Sequence, residues 1–144
     1  MKNYICWISP KNKENWDICK EHSMWGIGKN SPVANNHCKK IRKGDRLYIW
    51  VGGLGYVATA EVVVNRPIFV DNVNFTAPWK GQFSYLIPWK IIKELEKPIY
   101  LNFNLPGKVQ EKTKIEQGKT NGGFCEINEY QSEALQEIFE LKDN

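Results

Sequence analysis

Flat aromatic rings standing beside an amide side chain can hold a heterocycle, and this chain is rich in both. It carries six tryptophans in 144 residues. Three of them fall where a ring can meet a ligand. Trp25 follows the first helix at a Trp-Gly bend, Trp50 points away from the apolar face of its strand, and Trp79 sits between Pro78 and Lys80-Gly81 at a strand mouth. Stacking on such a ring contributes ~1–3 kcal/mol per base, and an added methyl group fills space between rings. Asn15 lies ten residues before Trp25. Its amide donates and accepts at once, as an adenine or cytosine edge requires. The competing reading is that these rings only cover the ends of a sheet, since tryptophan is rarely left fully exposed. Trp16, at helical spacing with Cys19, and Trp89, after Pro88, read as core, because large aromatics dominate core burial. The face of Trp7 is not assigned by its pattern.

The elements that must position these rings follow from periodicity. Tyr4 to Ile8 reads as a buried strand. Asn12 is placed to cap a helix running to about His22. Residues 28 to 40, with Gly28, Pro32, Asn35 and Asn36, read as a loop. Arg46 to Val51 alternates, with Leu47, Ile49 and Val51 on one face and Tyr48 and Trp50 on the other. Gly52-Gly53-Leu54-Gly55 forms a hairpin turn, and Tyr56 to Val64 returns antiparallel. Gly81 to Trp89 is a strand interrupted by Pro88, and Pro98 to Phe103 a short edge strand. Residues 104 to 123, rich in glycine, lysine and glutamate, read as a long mobile loop. Tyr130, Ala134, Leu135, Ile138 and Leu141 recur at helical spacing and close the chain with an amphipathic helix. Val57 and Val62 join Leu47, Ile49 and Val51 in the expected core; Tyr130, Leu135 and Ile138 are expected to dock the helix.

Charge and composition narrow the function classes. The length fits one domain, residues 1–144. An apolar share of 42% and a charged share of 25% are ordinary for a globular chain, and no run reaches the ~18 apolar residues of a membrane span. Met1-Lys2-Asn3 leads into a strand without a signal-peptide pattern, so a cytoplasmic location and no membrane partner are expected. The net charge of +4 is uneven. Lys29, Lys39, Lys40, Arg42, Lys43 and Arg46 cluster against Asp45 alone, which suits a polyanion; a solvated lysine-rich surface is the plain alternative. Cys6, Cys19, Cys38 and Cys125 form no CxxC pair and should stay reduced. Cys19, His22, His37 and Cys38 could be assembled into a zinc set, but adjacent His37 and Cys38 rarely converge on one ion, so no metal and no cofactor is expected. Enzyme signatures are missing too. The histidines show no HNH arrangement, the Cys and His residues match no nucleophile signature, and glycines 52, 53 and 55 precede no Lys-Ser/Thr or helix.

Taken in order, four segments resemble the EVE domain, a member of the PUA-like superfamily and a relative of YTH domains. They are Ser9 to Ile27, Lys43-Gly44-Asp45-Arg46-Leu47, Gly55 to Val64, and Trp79-Lys80-Gly81-Gln82-Phe83. The resemblance spans almost the whole chain and lies in the order of the segments, not in any single motif. It implies an α+β fold, a PUA-like pseudobarrel with a curved mixed or antiparallel sheet of about five to six strands and flanking helices. It also implies a non-catalytic module that binds a modified base in DNA or RNA, flipped into an aromatic-lined pocket. Trp25 matches the first cage tryptophan and Trp79 a second, with Trp50 or Phe75 as a further wall. Asn15 matches the base-edge residue. Ser9 and Lys11 fall on the same segment, Lys11 where some relatives carry a polar base contact. Gly26 replaces a small hydroxyl residue, so only its backbone can serve. Lys119 falls where relatives use a basic residue against phosphate, and Lys29, Lys39, Lys40 and Arg42 of the basic run are the further phosphate contacts expected from charge. Relatives fused to nuclease or restriction modules make a targeting domain of a modification-dependent restriction system one alternative. A pocket for a small molecule, a free nucleotide or a methylated side chain is the other.

Overall fold

The computed structural model describes residues 1–70, 83–100, 115 and 123–143. Among these the order is β1 (Asn3–Ile8), a 3-10 turn (Pro10–Asn12), α1 (Asn15–His22), β2 (Met24–Gly28), α2 (Pro32–Cys38), β3 (Arg46–Val51), β4 (Gly55–Val62), β5 (Ile68–Phe69), β6 (Phe83–Ile99), β7 (Phe124–Ile127) and α3 (Glu129–Asp143). The strands form one mixed sheet in the order β2-β6-β4-β3-β1-β7, with β5 added on β6. β1 and β3 run parallel, and the other pairs are antiparallel. The sheet curls into a half-barrel, the α+β pseudobarrel that the sequence implies.

Both faces of this sheet are buried. On the inner face Tyr4, Cys6 and Ile8 sit opposite Leu47, Ile49 and Val51, and all six belong to one apolar cluster. On the outer face Ile5, Tyr48, Trp50 and Tyr56 join Leu135 and Phe139 of α3 in a second cluster. Side chains alternate along a strand, so one strand feeds both clusters. Leu47, Ile49, Val51 and Val62 are fully buried and Val57 nearly so, as their alternation predicts. Tyr48 and Trp50 are buried as well, beneath α3.

The structure differs from the sequence expectation in several elements. The segment read as a loop, 28 to 40, contains α2. Ser31 before Pro32 is the missed signal, since proline at the first helical position has no N–H to leave unbonded. α2 touches both end strands, β2 and β7, and so closes the gap between them. Its Asn35 Nδ2 donates to Gly28 O at 2.9 Å, and His37 Nδ1 accepts the Glu126 N–H at 3.0 Å. Next, Asn12 does not cap α1. Ser9 caps the 3-10 turn through its hydroxyl, and α1 begins at Asn15 without a side-chain cap. Then Gly81 to Trp89 and Pro98 to Phe103 are not two strands: Phe83 to Ile99 is continuous through Pro88 and Pro98. Pro88 stands where β6 changes partner, from β2 before it to β4 after it, a corner at which a missing N–H costs no ladder bond. Finally, Tyr130 is 58% exposed and does not dock α3. Gln131, Ser132, Leu135 and Phe139 do, a face displaced by one residue from Tyr130. Of 104–123, the long loop of the sequence reading, only Ile115 and Gly123 are described. β2, β5 and β7 lie outside every expected strand.

Gly55 shows how tightly the hairpin is set. It has φ +108, and a Cβ there would collide with the Ile99 carbonyl at the end of β6. Only glycine tolerates both conditions.

Candidate nucleic-acid interface

The candidate rings are placed by the turn that leaves α1. Ser23 takes the left-handed conformation at φ 52, and its N–H bonds back to Cys19 O and Lys20 O. The turn delivers Met24 directly into β2, while Ser23 O accepts the Trp89 backbone N–H at 3.0 Å. Trp25 is therefore a residue of a strand interior and not of a bend, which corrects the sequence reading. It lies opposite Ile87, with Trp89 two positions further along β6 on the same face. Diagonal neighbours of this kind are within reach of large rings.

The result is an array of three tryptophans. Trp25 and Trp89 meet with centroids 5.7 Å apart and planes tilted by 34°. Trp89 meets the edge of Trp16 at 6.2 Å, and Lys20 Nζ lies over the Trp16 ring at 5.3 Å. Trp16 and Trp89 are buried, as expected for core rings. Trp25 is itself only 4% exposed, so it is no rim ring. Asn15 opens α1 directly before Trp16. Its Oδ1 is buried without a hydrogen-bond partner, and so is Trp89 Nε1. Such orphaned polar atoms are few in a folded chain.

The other predicted site residues scatter. Trp50 faces the outer cluster, where its ring meets Tyr56 at 4.8 Å and Tyr100 at 6.2 Å. It cannot wall a pocket with Trp25, because the sheet lies between them; the alternation that turns it from Leu47-Ile49-Val51 turns it toward α3. Trp79, Phe75 and Lys119 lie outside the described residues. Gly26 is half-buried in β2, opposite Leu86. Ser9 holds the 3-10 turn by accepting the Lys11 N–H at 3.4 Å, and Lys11 is exposed.

The basic residues fare better as a group. Lys2, Lys39, Lys40, Arg42 and Lys43 line one open groove of ≈ 570 Å³ together with Met1, Gly44 and Asp45. Asp45 builds its floor: its carboxylate accepts the Lys2 N–H and the Arg42 N–H, each at 2.9 Å. Arg42 Nη1 donates to Ile41 O at 2.7 Å, and Lys39 Nζ lies over the Tyr85 ring at 5.9 Å. Lys29 is exposed just after β2 and does not line the groove. Lys2 and Lys43 are groove residues that the site reading omitted; Lys43 already stood in the basic run.

Reactive groups are held quiet. All four cysteines are buried and none forms a disulfide. Burial pushes the Cys38 thiol up to about 11, and it raises Cys6 well above its ordinary value. A thiol so raised is neutral at physiological pH and a poor nucleophile. Burial, with Asp45 and Glu126 adding to it, raises the Tyr4 hydroxyl too. Among the described residues no three metal-type side chains converge, and no helix is long and apolar enough to cross a membrane.

Comparison with known proteins now bears on this geometry. No protein-family model matches the chain. A stretch of 45 residues is 38% identical to the UPF0310 protein PH1033 of Pyrococcus horikoshii, covering 31% of this chain and 29% of that protein. The chain thus aligns with less than a third of that relative's length. Solved structures align over nearly the whole chain. The Mmi1 YTH domain superimposes with a TM-score of 0.65 at 13% identity, over 98% of this chain and 89% of that one. The chain has the fold of a YTH domain. Protein Atu2648 from Agrobacterium tumefaciens matches with a TM-score of 0.62 at 16% identity, over 98% and 92%. Rpa0253 from Rhodopseudomonas palustris gives 0.61 at 15%, over 100% and 97%. At such identities the YTH likeness is one of fold alone.

Proposed function

We propose that this YTH-fold chain is a non-catalytic, EVE-type module that binds a modified base in nucleic acid. The observation that carries the reading is the buried, unpartnered Asn15 Oδ1, one residue before Trp16 of the Trp16-Trp89-Trp25 array. An orphaned amide at the end of a run of packed indole rings suits a planar heterocycle with its own donor. Trp25 would be the floor of the site, and a base would have to be flipped out or single-stranded to reach it, at a cost of a few kcal/mol. The groove of Lys2, Lys39, Lys40, Arg42 and Lys43 would hold phosphates and position the strand without reading sequence. Thiols kept neutral by burial favour binding over nucleophilic catalysis. The reading places the protein in the cytoplasm, where reduced cysteines persist, and a nuclease partner would make it the targeting half of a restriction system. A cage for a methylated side chain is less favoured, because the charge over Trp16 is the Lys20 ammonium and not a carboxylate.

A binding screen tests this. Single- and double-stranded oligonucleotides carrying N6-methyladenine, 5-methylcytosine or 5-hydroxymethylcytosine are compared with unmodified controls. One modified probe should bind more tightly than its control, and binding should weaken as salt rises. Equal affinity for every probe, or none at low salt, would refute the proposal.

A further inference from the structure

We infer that Phe69 on β5 is a stacking platform: its ring takes the face of an unmodified base in a single strand whose phosphates lie in the basic groove. The inference rests on the groove holding phosphates, as proposed above, and adds a surface which that proposal leaves out.

Among the described residues Phe69 is the one phenylalanine exposed to solvent, at 68%. Unlike exposed Tyr100 and Tyr130, it has no hydroxyl to offer to water. The ring is also held in place. Ile68 and Phe69 pair with Leu86 and Tyr85 of β6, and the Val70 N–H donates to Ser84 O at 2.8 Å. Directly opposed residues project to the same side of a sheet. Phe69 therefore meets Tyr85, with centroids 5.6 Å apart and planes at 69°. Lys39 Nζ lies 5.9 Å from the Tyr85 centroid. Both neighbours engage the Tyr85 ring, and the ring left to solvent is that of Phe69.

The platform and the groove are tied together twice. Lys39 belongs to both, since it lines the groove with Lys40 and Arg42. Asn65, just before β5, accepts the Lys43 N–H on Oδ1 at 3.3 Å and Arg42 Nη1 on its carbonyl at 3.4 Å. Arg66 follows in sequence and is exposed. A bare ring beside a row of cations matches single-stranded nucleic acid, in which cations track phosphates and a ring stacks any base by its π-face. A duplex cannot use the ring without unstacking its own bases. A peptide strand added to β5 would match the apolar side chains but not the charge.

The test uses the full chain and unmodified probes, so that recognition of a modified base is not engaged. Labelled oligo(dT) and oligo(U) of about twelve nucleotides are titrated at low salt, with a duplex of equal length beside them, and anisotropy is read. The tighter of the two single strands should bind better than the duplex. Phe69→Ala should weaken that binding about tenfold, the scale of one lost stack. Duplex affinity and the slope of log affinity against log salt should not change, because no charge is removed. Phe69→Trp should retain the binding. If Phe69→Ala holds the single strand as well as the unaltered chain does, the inference fails and the groove reading stands. An equal loss on single strand and duplex also overturns it. So does sedimentation in which the chain dimerises and Phe69→Ala stays monomeric, which would give the ring to a second copy. Single-strand binding that needs Phe69, without preference for any modified probe, would uphold the platform and refute the modified-base reading. If no probe binds at low salt, both fail together.

Discussion

The two faces of the sheet each carry a cluster of aromatic rings, yet they treat their polar atoms differently. Under α3, Trp50, Tyr48, Tyr56 and Phe139 pack ring to ring. There the Tyr48 hydroxyl is bonded to Ser132 Oγ at 2.6 Å, and Ser132 Oγ donates to Asn3 Oδ1 at 3.0 Å. The loose ends of that face are the Tyr56 hydroxyl and Arg46 Nε, which alternation puts on the side of Tyr48 and Trp50. On the inner face the Trp16-Trp89-Trp25 array leaves the rigid Trp89 Nε1–H unbonded, and Asn15 Oδ1, one residue before Trp16, has no partner either. The lesson is that counting aromatics does not find a site. What separates a core from a binding wall is whether its hydrogen-bonding capacity is already spent.

The comparison can be broken most directly by Trp50→Ala. Trp50 is a packed ring beneath a helix, so unfolding free energy should fall by about 3–5 kcal/mol in urea titration, while folded protein keeps its preference for the modified probe. Loss of that preference in folded protein would move the site to the outer face. Trp25→Ala should be similarly costly, because its ring is core as well; a conservative Trp25→Phe is the better probe of binding.

Alkaline pH separates the faces next. The Cys38 thiol of the inner cluster is pushed up from 9.0 to about 11 by burial. Between those values the unfolded chain releases a proton that the folded chain keeps. Stability is thus complete below pH 9 and falls as pH rises to 11, by up to about 1.4 kcal/mol per unit. The buried tyrosines add to the fall only above pH 10. The Cys6 thiol, raised by burial too, adds to the same fall, so Cys38→Ala should lessen but not abolish the drop in melting temperature between pH 9 and 10; an unchanged slope would mean that Cys38 contributes nothing to it.

A smaller effect is expected in the groove. Replacing Lys39 and Lys40 together by alanine should reduce the slope of log affinity against log salt by up to about two, leaving the preference for the modified base intact. A changed preference would show that the groove also reads bases. The smallest effect belongs to the pair between Lys20 Nζ and Glu94 Oε1 at 2.9 Å, near the array but partly exposed. Glu94→Gln should cost less than about 1 kcal/mol, measured by thermal melts. A larger loss would tie the position of Lys20 over Trp16 to stability.

The sequence by itself determined what is local. Two-residue alternation places Leu47, Ile49 and Val51 on one face and Tyr48 and Trp50 on the other, because neighbouring side chains on a strand must point apart. The glycines of 52–55 announce the hairpin, since Gly53 and Gly55 take positive φ. Trp16, Cys19 and Trp89 were legible as core from size and apolar character. The tertiary structure decided what depends on distant partners. Pro88 looked like an end to a strand, but at the corner where β6 passes from β2 to β4 its missing N–H is harmless. Trp50 looked exposed until α3, about eighty residues later, covered it. Trp89 looked finished as a core ring until its N–H was found unbonded. Whether a buried donor has a partner is a property of every element around it, and no window of sequence contains them all.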